Sequence, residues 1–234
     1  MVSQVRDSVL AALAATRQLE SPLLQACDDS PAGRPGTWTA KDHLAHIAHY
    51  REYGAAVLEA VRTGAPVPED AEADLDSRNA RILDENRGLA ATDVRKQAAA
   101  SYDRLVRAVE LCSEAILRGP LSAGSNAPLW WLVSGCGWGH VGQHLAHWYK
   151  DRDDWPAAEE AARRVHEVEM SSFEDARHRA AATYNLGCFY ATNGRPEEAL
   201  GLVQEALAHA ADLRDVARRD PDVDSIRHLL ALDA

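Results

Sequence analysis

The chain has 234 residues and a formal net charge of −11 at pH 7, with a pI of about 5.3. This acidic balance argues against nucleic acid and anionic membrane surfaces as partners, because both repel negative charge. The sequence contains no apolar run suited to crossing a membrane, and its first residues lack the basic and apolar blocks of a signal peptide. We therefore expect a cytoplasmic protein.

Apolar side chains recur at helical spacing through most of the sequence, which predicts an all-α protein. The first five predicted helices cover about residues 3–28, 40–63, 71–86, 92–117 and 129–152. Thr92 is the expected cap of the fourth of them. The 71–86 segment is short and polar, and the other four helices are long and joined by modest loops. Such a set predicts an up-and-down or crossover bundle, whose core can hold ligands and metals.

Three histidines lie on the second predicted helix, in the segment WTAKDHLAHIAHYREY from residue 38 to residue 53. A capping box begins at Thr39. His46 falls within the apolar and aromatic stripe of this helix, while His43 and His49 lie about 60° to either side of it. We therefore expect His46 to point into the core and its two neighbours to line the edges.

The last helix of the bundle carries a second set, in the segment GWGHVGQHLAHWY from residue 137 to residue 149. His140, His144 and His147 follow each other at spacings of four and three, so their imidazoles fall within about 40° of each other on a helix. Neutral imidazole is the commonest protein ligand of divalent metals, which favours a metal site. The alternative is that each histidine is a polar core or surface residue, because His-x-x-x-His without a glutamate is not specific.

The order and spacing of these motifs resemble the DinB/YfiT-like superfamily of four-helix bundles. The segments DSRNARI and ENRG in the middle of the chain are similar to its ClbS/DfsB branch. The resemblance covers about residues 1–153. It implies that His46, His140 and His144 hold a divalent transition metal such as zinc, nickel or iron, although not every branch of the superfamily keeps the metal.

The same resemblance implies a small-molecule enzyme that acts on an electrophilic or natural-product substrate by thiol transfer, isomerisation or hydrolysis. His49 or His147 is the expected general base, because imidazole titrates near neutral pH. In a metal-free, ClbS-like self-resistance protein, Tyr50, His43 or His49 would instead serve the addition of water to a reactive metabolite. A third alternative, from a different class, is a non-catalytic protein that sequesters such a metabolite.

Several residues near the predicted site have two interpretations. Cys136, four residues before His140, is either an extra soft ligand or nucleophile, or a small buried hydrophobic residue. Asn79 and Asn86 either cover the mouth of a bundle pocket or are solvated. Trp138, which is flanked by glycines, is expected to wall an apolar pocket.

The sequence pattern of the bundle ends after residue 153. Residues 154–234 form a second predicted segment, with helices at about 156–169, 174–193 and 196–218. The positions expected of a tetratricopeptide repeat are occupied by Leu186, Gly187, Tyr190, Ala199 and Ala206. One repeat cannot form a solenoid, so we expect this segment to pack on the bundle or on a second subunit. Two alternatives are a homodimer and a different protein partner that binds through this segment.

Overall fold

The computed structural model of the chain describes residues 5–31, 34, 36–68, 74–122 and 127–232. All regular elements of these residues are helices, apart from an isolated bridge between Pro120 and Pro128, so the all-α prediction is confirmed. The predicted starts of two helices, at residues 3 and 71, lie outside the described part of the chain. None of the described helices combines the length and the apolar character needed to cross a membrane.

The chain divides into two compact units, Met1–Ala161 and Ala162–Ala234. The division lies inside one helix, Trp155–Ser172, whereas the sequence predicts a boundary after residue 153. Each unit has its own set of packed helices, and the candidate site described below belongs to the first.

The first unit contains nine α-helices among its described residues, the last of which runs on into the second unit. They are α1 (Val5–Thr16), α2 (Ser21–Ala26), α3 (Ala40–Thr63), α4 (Leu75–Asn86), α5 (Ala91–Leu111), α6 (Glu114–Arg118), α7 (Trp130–Cys136), α8 (Trp138–Lys150) and α9 (Trp155–Ser172). A 3-10 turn, Arg17–Glu20, joins α1 to α2. Helix α3 packs against α2, α4, α5, α7 and α8, and α1 packs against α5 and α6–α8. Helix α3 is therefore the element to which most of the bundle is attached.

The two ends of α3 explain why the second predicted helix is correct to the residue. The Thr39 side chain accepts a hydrogen bond from the backbone N–H of Asp42, whose carboxylate accepts one from the backbone of Thr39. This reciprocal capping box starts the helix. Gly64 ends it in the left-handed conformation, with φ of 72°, which glycine adopts without a steric penalty. The fixed register of α3 sets the directions of its histidines.

The first and fourth predicted helices are each wrong in extent. The first is broken after Thr16, because Pro22 near the start of α2 lacks the N–H that a continuous helix would need. The fourth begins after Ala90, which makes no side-chain capping hydrogen bond, rather than after Thr92, and it ends at Leu111. Its predicted end belongs to the separate helix α6, which begins when the Ser113 hydroxyl accepts a hydrogen bond from a backbone N–H.

The fifth predicted helix is also interrupted, at Gly137, between α7 and α8. A Cβ at this position would lie 2.6 Å from the carbonyl oxygen of Val133 and 3.0 Å from a methyl carbon of Leu13. Only glycine fits this close approach without displacing the backbone. The interruption lies three residues before His140, so it helps to set the direction in which α8 leaves α7.

We expect Gly137→Ala to lower the free energy of unfolding by about 1–3 kcal/mol, as overpacking does. The matched control is Gly135→Ala, two residues earlier, where an added Cβ meets open space. There the gain in helix propensity should stabilise the protein by up to about 1 kcal/mol. Urea unfolding of both variants measures the difference. Equal effects of the two substitutions would contradict the tight packing at Gly137.

In the second unit, after the end of α9, the helices are α10 (Ala176–Thr192), α11 (Pro196–His209) and α12 (Leu213–Ala217), with short 3-10 turns at Pro221–Val223 and Arg227–Leu229. Helices α10 and α11 form an antiparallel hairpin through a turn at Gly194, which has φ of 71°. They approach closely at Gly187, where a Cβ would lie 2.7 Å from a methyl carbon of Val203. The predicted helix to residue 218 is wrong, because Ala210 is extended and buried and redirects the chain into α12.

Candidate functional site

Four histidines from two helices meet in the first unit. Helix α3 supplies His43 and His46, and α8 supplies His140 and His144. The ring centroids of His46 and His144 lie 4.6 Å apart, those of His140 and His144 4.5 Å, and those of His46 and His140 5.0 Å. One nitrogen of each of these three residues lies within 4.8 Å of the corresponding nitrogens of the other two. These are the three residues that the DinB-like resemblance implies as metal ligands.

The hydrogen bonds of this histidine cluster (His43, His46, His140 and His144) are incomplete. Nδ1 of His43 lies 2.9 Å from Nδ1 of His144, which makes a hydrogen bond between the two rings. Nε2 of His43, Nδ1 of His46 and Nε2 of His140 are buried without a hydrogen-bond partner. Because buried polar atoms are costly unless they are bonded, three such nitrogens in one cluster point to a bound ligand.

Burial keeps the histidine cluster neutral. Removal from water lowers the pKa of His43 to about 3, that of His46 to about 4 and that of His140 to about 3. The same cause holds the pKa of His144 well below its usual value, and the proximity of the other histidines lowers it further. A neutral imidazole has a lone pair to offer, which is the form that binds a metal ion.

Trp38 covers one side of the histidine cluster. Its ring stacks on His144 at 5.6 Å with an angle of 18° between the planes, and it contacts His43 at 5.3 Å and His46 at 5.1 Å. Trp38 precedes the capping box of α3, so the start of this helix also places the indole. The packed indole restricts how far these imidazole rings can turn.

A cavity of about 680 Å³ opens beside the histidine cluster. Its wall consists of aromatic and polar side chains together with one glycine: Gly36, Trp38, His43, His46, Tyr50, Arg78, Asn79, His140, Gln143, His144, His147, Lys150 and Asp151. This volume lies in the range of sites for small molecules and cofactors. The four clustered histidines are part of the wall, so a small molecule in the cavity would lie next to them.

Two of the three residues predicted to take part in catalysis line the cavity, and the third does not. Tyr50 and His147 line the cavity. The Tyr50 ring lies 4.6 Å from that of His140, and the His147 ring lies 6.4 Å from that of His144. His49 is not among the described residues of the cavity wall, and its ring lies 5.6 Å from that of Tyr50. Of the two expected general bases, only His147 can therefore contact a molecule in the cavity directly.

Four open interpretations of single residues can be compared with the structure. Asn79 lines the cavity with a buried, unpartnered Oδ1, whereas Asn86 donates to the carbonyl of Ile82 within its own helix. Cys136 is buried, and burial raises its thiol pKa to about 12, which favours the hydrophobic interpretation. The expectation for Trp138 is wrong: it is fully buried in the core, because α8 starts there after the interruption at Gly137.

A buried ion pair lies one residue along α3 from Tyr50. Nη1 of Arg51 donates to Oε2 of Glu20 at 2.8 Å, and both side chains are almost inaccessible to solvent. Arg17 also pairs with Glu20, and the guanidinium groups of both arginines lie over the ring of Tyr102. The sequence contains no signal for this cluster, because Glu20 is brought inward by the 3-10 turn that breaks the first predicted helix.

Comparison with known proteins concerns the second unit. The tetratricopeptide-repeat family model matches residues 179–208. No curated protein and no solved structure matches the chain. The matched residues cover most of α10 and α11, including Gly187, Ala199 and Ala206 at their closely packed positions. The repeat predicted from the sequence is confirmed there, while the DinB-like resemblance of the first unit stays a prediction.

Proposed function

We propose that the first unit is a small-molecule enzyme of the DinB-like type, with a divalent transition metal bound by His46, His140 and His144. One observation carries the proposal: a nitrogen of each residue lies within 4.8 Å of the other two, in a buried cluster that contains unpartnered imidazole nitrogens. Three neutral imidazoles accept zinc, nickel or iron. Three protein ligands would leave open positions, at which a divalent ion supplies Lewis-acid chemistry.

The substrate that we propose is a small electrophilic molecule or natural product, and the reaction is thiol transfer, isomerisation or hydrolysis. The cavity volume of about 680 Å³ and its mixed aromatic and polar wall support a substrate of this size. We propose His147 as the general base, because its exposed ring lies on the cavity wall. Tyr50 would hydrogen-bond the substrate through its hydroxyl, and His49 would act only through Tyr50.

A metal-free function is the second candidate, and one observation favours it. The hydrogen bond between His43 and His144 shows that two of the histidines partly satisfy each other, as expected where no metal is needed. In this case the same cavity would hold a reactive metabolite, either to hydrolyse it, as in ClbS-like self-resistance, or to sequester it without catalysis. The unpartnered nitrogens of His46 and His140 count against this candidate, because a metal-free site leaves them unbonded.

For the second unit, we propose a role in protein interaction, which the match to a tetratricopeptide repeat supports. Its partner would be either a second copy of this chain or another protein. A single repeat has too little surface for the groove that stacked repeats form, so we expect a modest contact area rather than an enclosed peptide.

The metal content of the untagged protein tests the proposed function. We expect elemental mass spectrometry to find about one transition-metal ion per chain, and chelation to remove it. An ion present at 100 times its Kd contributes about 2.7 kcal/mol, so chelation should lower the melting temperature by roughly 5–10 °C. No metal in the purified protein, and no uptake of zinc, nickel or iron, would contradict the proposal. That result would favour the metal-free candidate.

A further inference from the structure

We propose that His43 is a positioning residue for the metal site: its Nδ1 accepts the Nδ1–H of His144, which leaves Nε2 of His144 free to bind the ion. This inference rests on the proposed metal function and deepens it. The sequence placed His43 at the edge of the α3 stripe and gave it a role only in the metal-free alternative. In the structure it is 3 % exposed and touches the ligand set directly.

The distance between the two rings determines that one of them donates the hydrogen bond and the other accepts it. A separation of 2.9 Å between two Nδ1 atoms has room for one proton, so one ring donates and the other accepts. If His43 donates, a neutral His144 carries its own proton on Nε2 and cannot bind an ion. If His144 donates, its Nε2 lone pair is free. Only the second arrangement is compatible with His144 as a ligand.

The packing around His43 and His144 holds the two rings in place. Trp38 stacks on His144 and lies against His43, and His43 stands on α3 one turn before His46. The indole and the helix together limit rotation of both rings, so the two Nδ1 atoms are held facing each other. An imidazole held in this way orients its neighbour, as the hydrogen-bond partners of metal-binding histidines generally do.

The energetic cost of His43 argues against a purely structural role. The proposed arrangement leaves a proton on Nε2 of His43, a buried atom without a hydrogen-bond partner. A buried donor of this kind costs free energy that an apolar side chain would avoid. A leucine at this position of a helix would serve packing better. The cost is understandable if the other nitrogen of the ring directs His144.

The test uses two nearly isosteric variants of the full chain, His43→Leu and His43→Asn. Leucine removes the acceptor, whereas the asparagine carbonyl oxygen takes a position close to that of Nδ1. Zinc affinity is measured by competition with a chromophoric chelator. We expect His43→Leu to bind zinc about 10–100-fold more weakly than the parent protein, and His43→Asn to recover most of the loss. Both should still bind one equivalent at saturating zinc.

Nitrogen-15 NMR of the zinc-loaded protein provides a readout that a packing role would not change. The parent protein should show a slowly exchanging Nδ1–H of His144, which is lost in His43→Leu and restored in His43→Asn. If His43→Leu does not fold, the parent spectrum and His43→Asn decide the question.

Three results would overturn the inference. Unchanged affinity and an unchanged N–H signal in His43→Leu would remove the positioning role and leave the metal site intact. Loss of zinc at saturation in both variants would make His43 a ligand instead. Failure of the parent protein to bind zinc, nickel or iron would overturn the proposed function together with this inference.

Discussion

Replacing His140 with alanine is expected to lower zinc affinity more than the loss of a residue that only hydrogen-bonds to a metal ligand. A loss of that second kind lowers affinity roughly 10–100-fold. The substitution removes one of three proposed ligands, and Nε2 of His140 is a buried atom that has no hydrogen-bond partner. His46→Ala and His144→Ala should have effects of the same size. Chelator competition and the elemental content of each purified variant measure the loss.

The control for these variants is His209→Ala, an exposed histidine in the last turn of α11 in the second unit. It should keep one equivalent of metal and the parent affinity. Alanine is the strongest helix former, so α3 and α8 should persist in the ligand variants, which circular dichroism can check. Stoichiometric metal retained by His144→Ala at the parent affinity would refute the three-histidine site.

The second large effect is expected at the buried ion pair: Glu20→Leu should lower the free energy of unfolding by about 3–5 kcal/mol. The substitution leaves the Arg51 guanidinium buried without its carboxylate. It also leaves the positive charge of Arg17 close by, since both arginines pair with Glu20. Urea unfolding at neutral pH measures the change.

A double variant and a surface control test whether the loss of stability comes from the unpaired buried charge. Adding Arg51→Met to Glu20→Leu removes the stranded charge, so the pair should lose much less stability than Glu20→Leu alone. Arg104→Met breaks ion pairs with Glu52 and Glu59 on the exposed side of α3 and α5, and it should cost less than about 1 kcal/mol. A cost for Glu20→Leu as small as that of Arg104→Met would contradict the importance of the buried pair.

These predictions differ in how far the sequence could have led to them. Helical periodicity and the cap of α3 predict the directions of His46, His140 and His144 on their own helices, because a side chain's direction on a helix depends on its position in the turn. That the three histidines belong to one site was implied by the resemblance to the DinB-like superfamily. The ion pair between Glu20 and Arg51 does not follow in this way, since its acidic partner reaches the core only through a break in the first helix.

The sequence by itself determined the helical class, α3 with both of its ends, the inward direction of its central histidine, and the tetratricopeptide repeat. These features depend on local spacing and on capping, which neighbouring residues decide. The tertiary structure alone decided the hydrogen bond between His43 and His144, the burial of Trp138, and the interruption at Gly137. Each of these depends on a contact or a change of direction between separate helices, and the free energy of such contacts cannot be read from the periodicity of either helix.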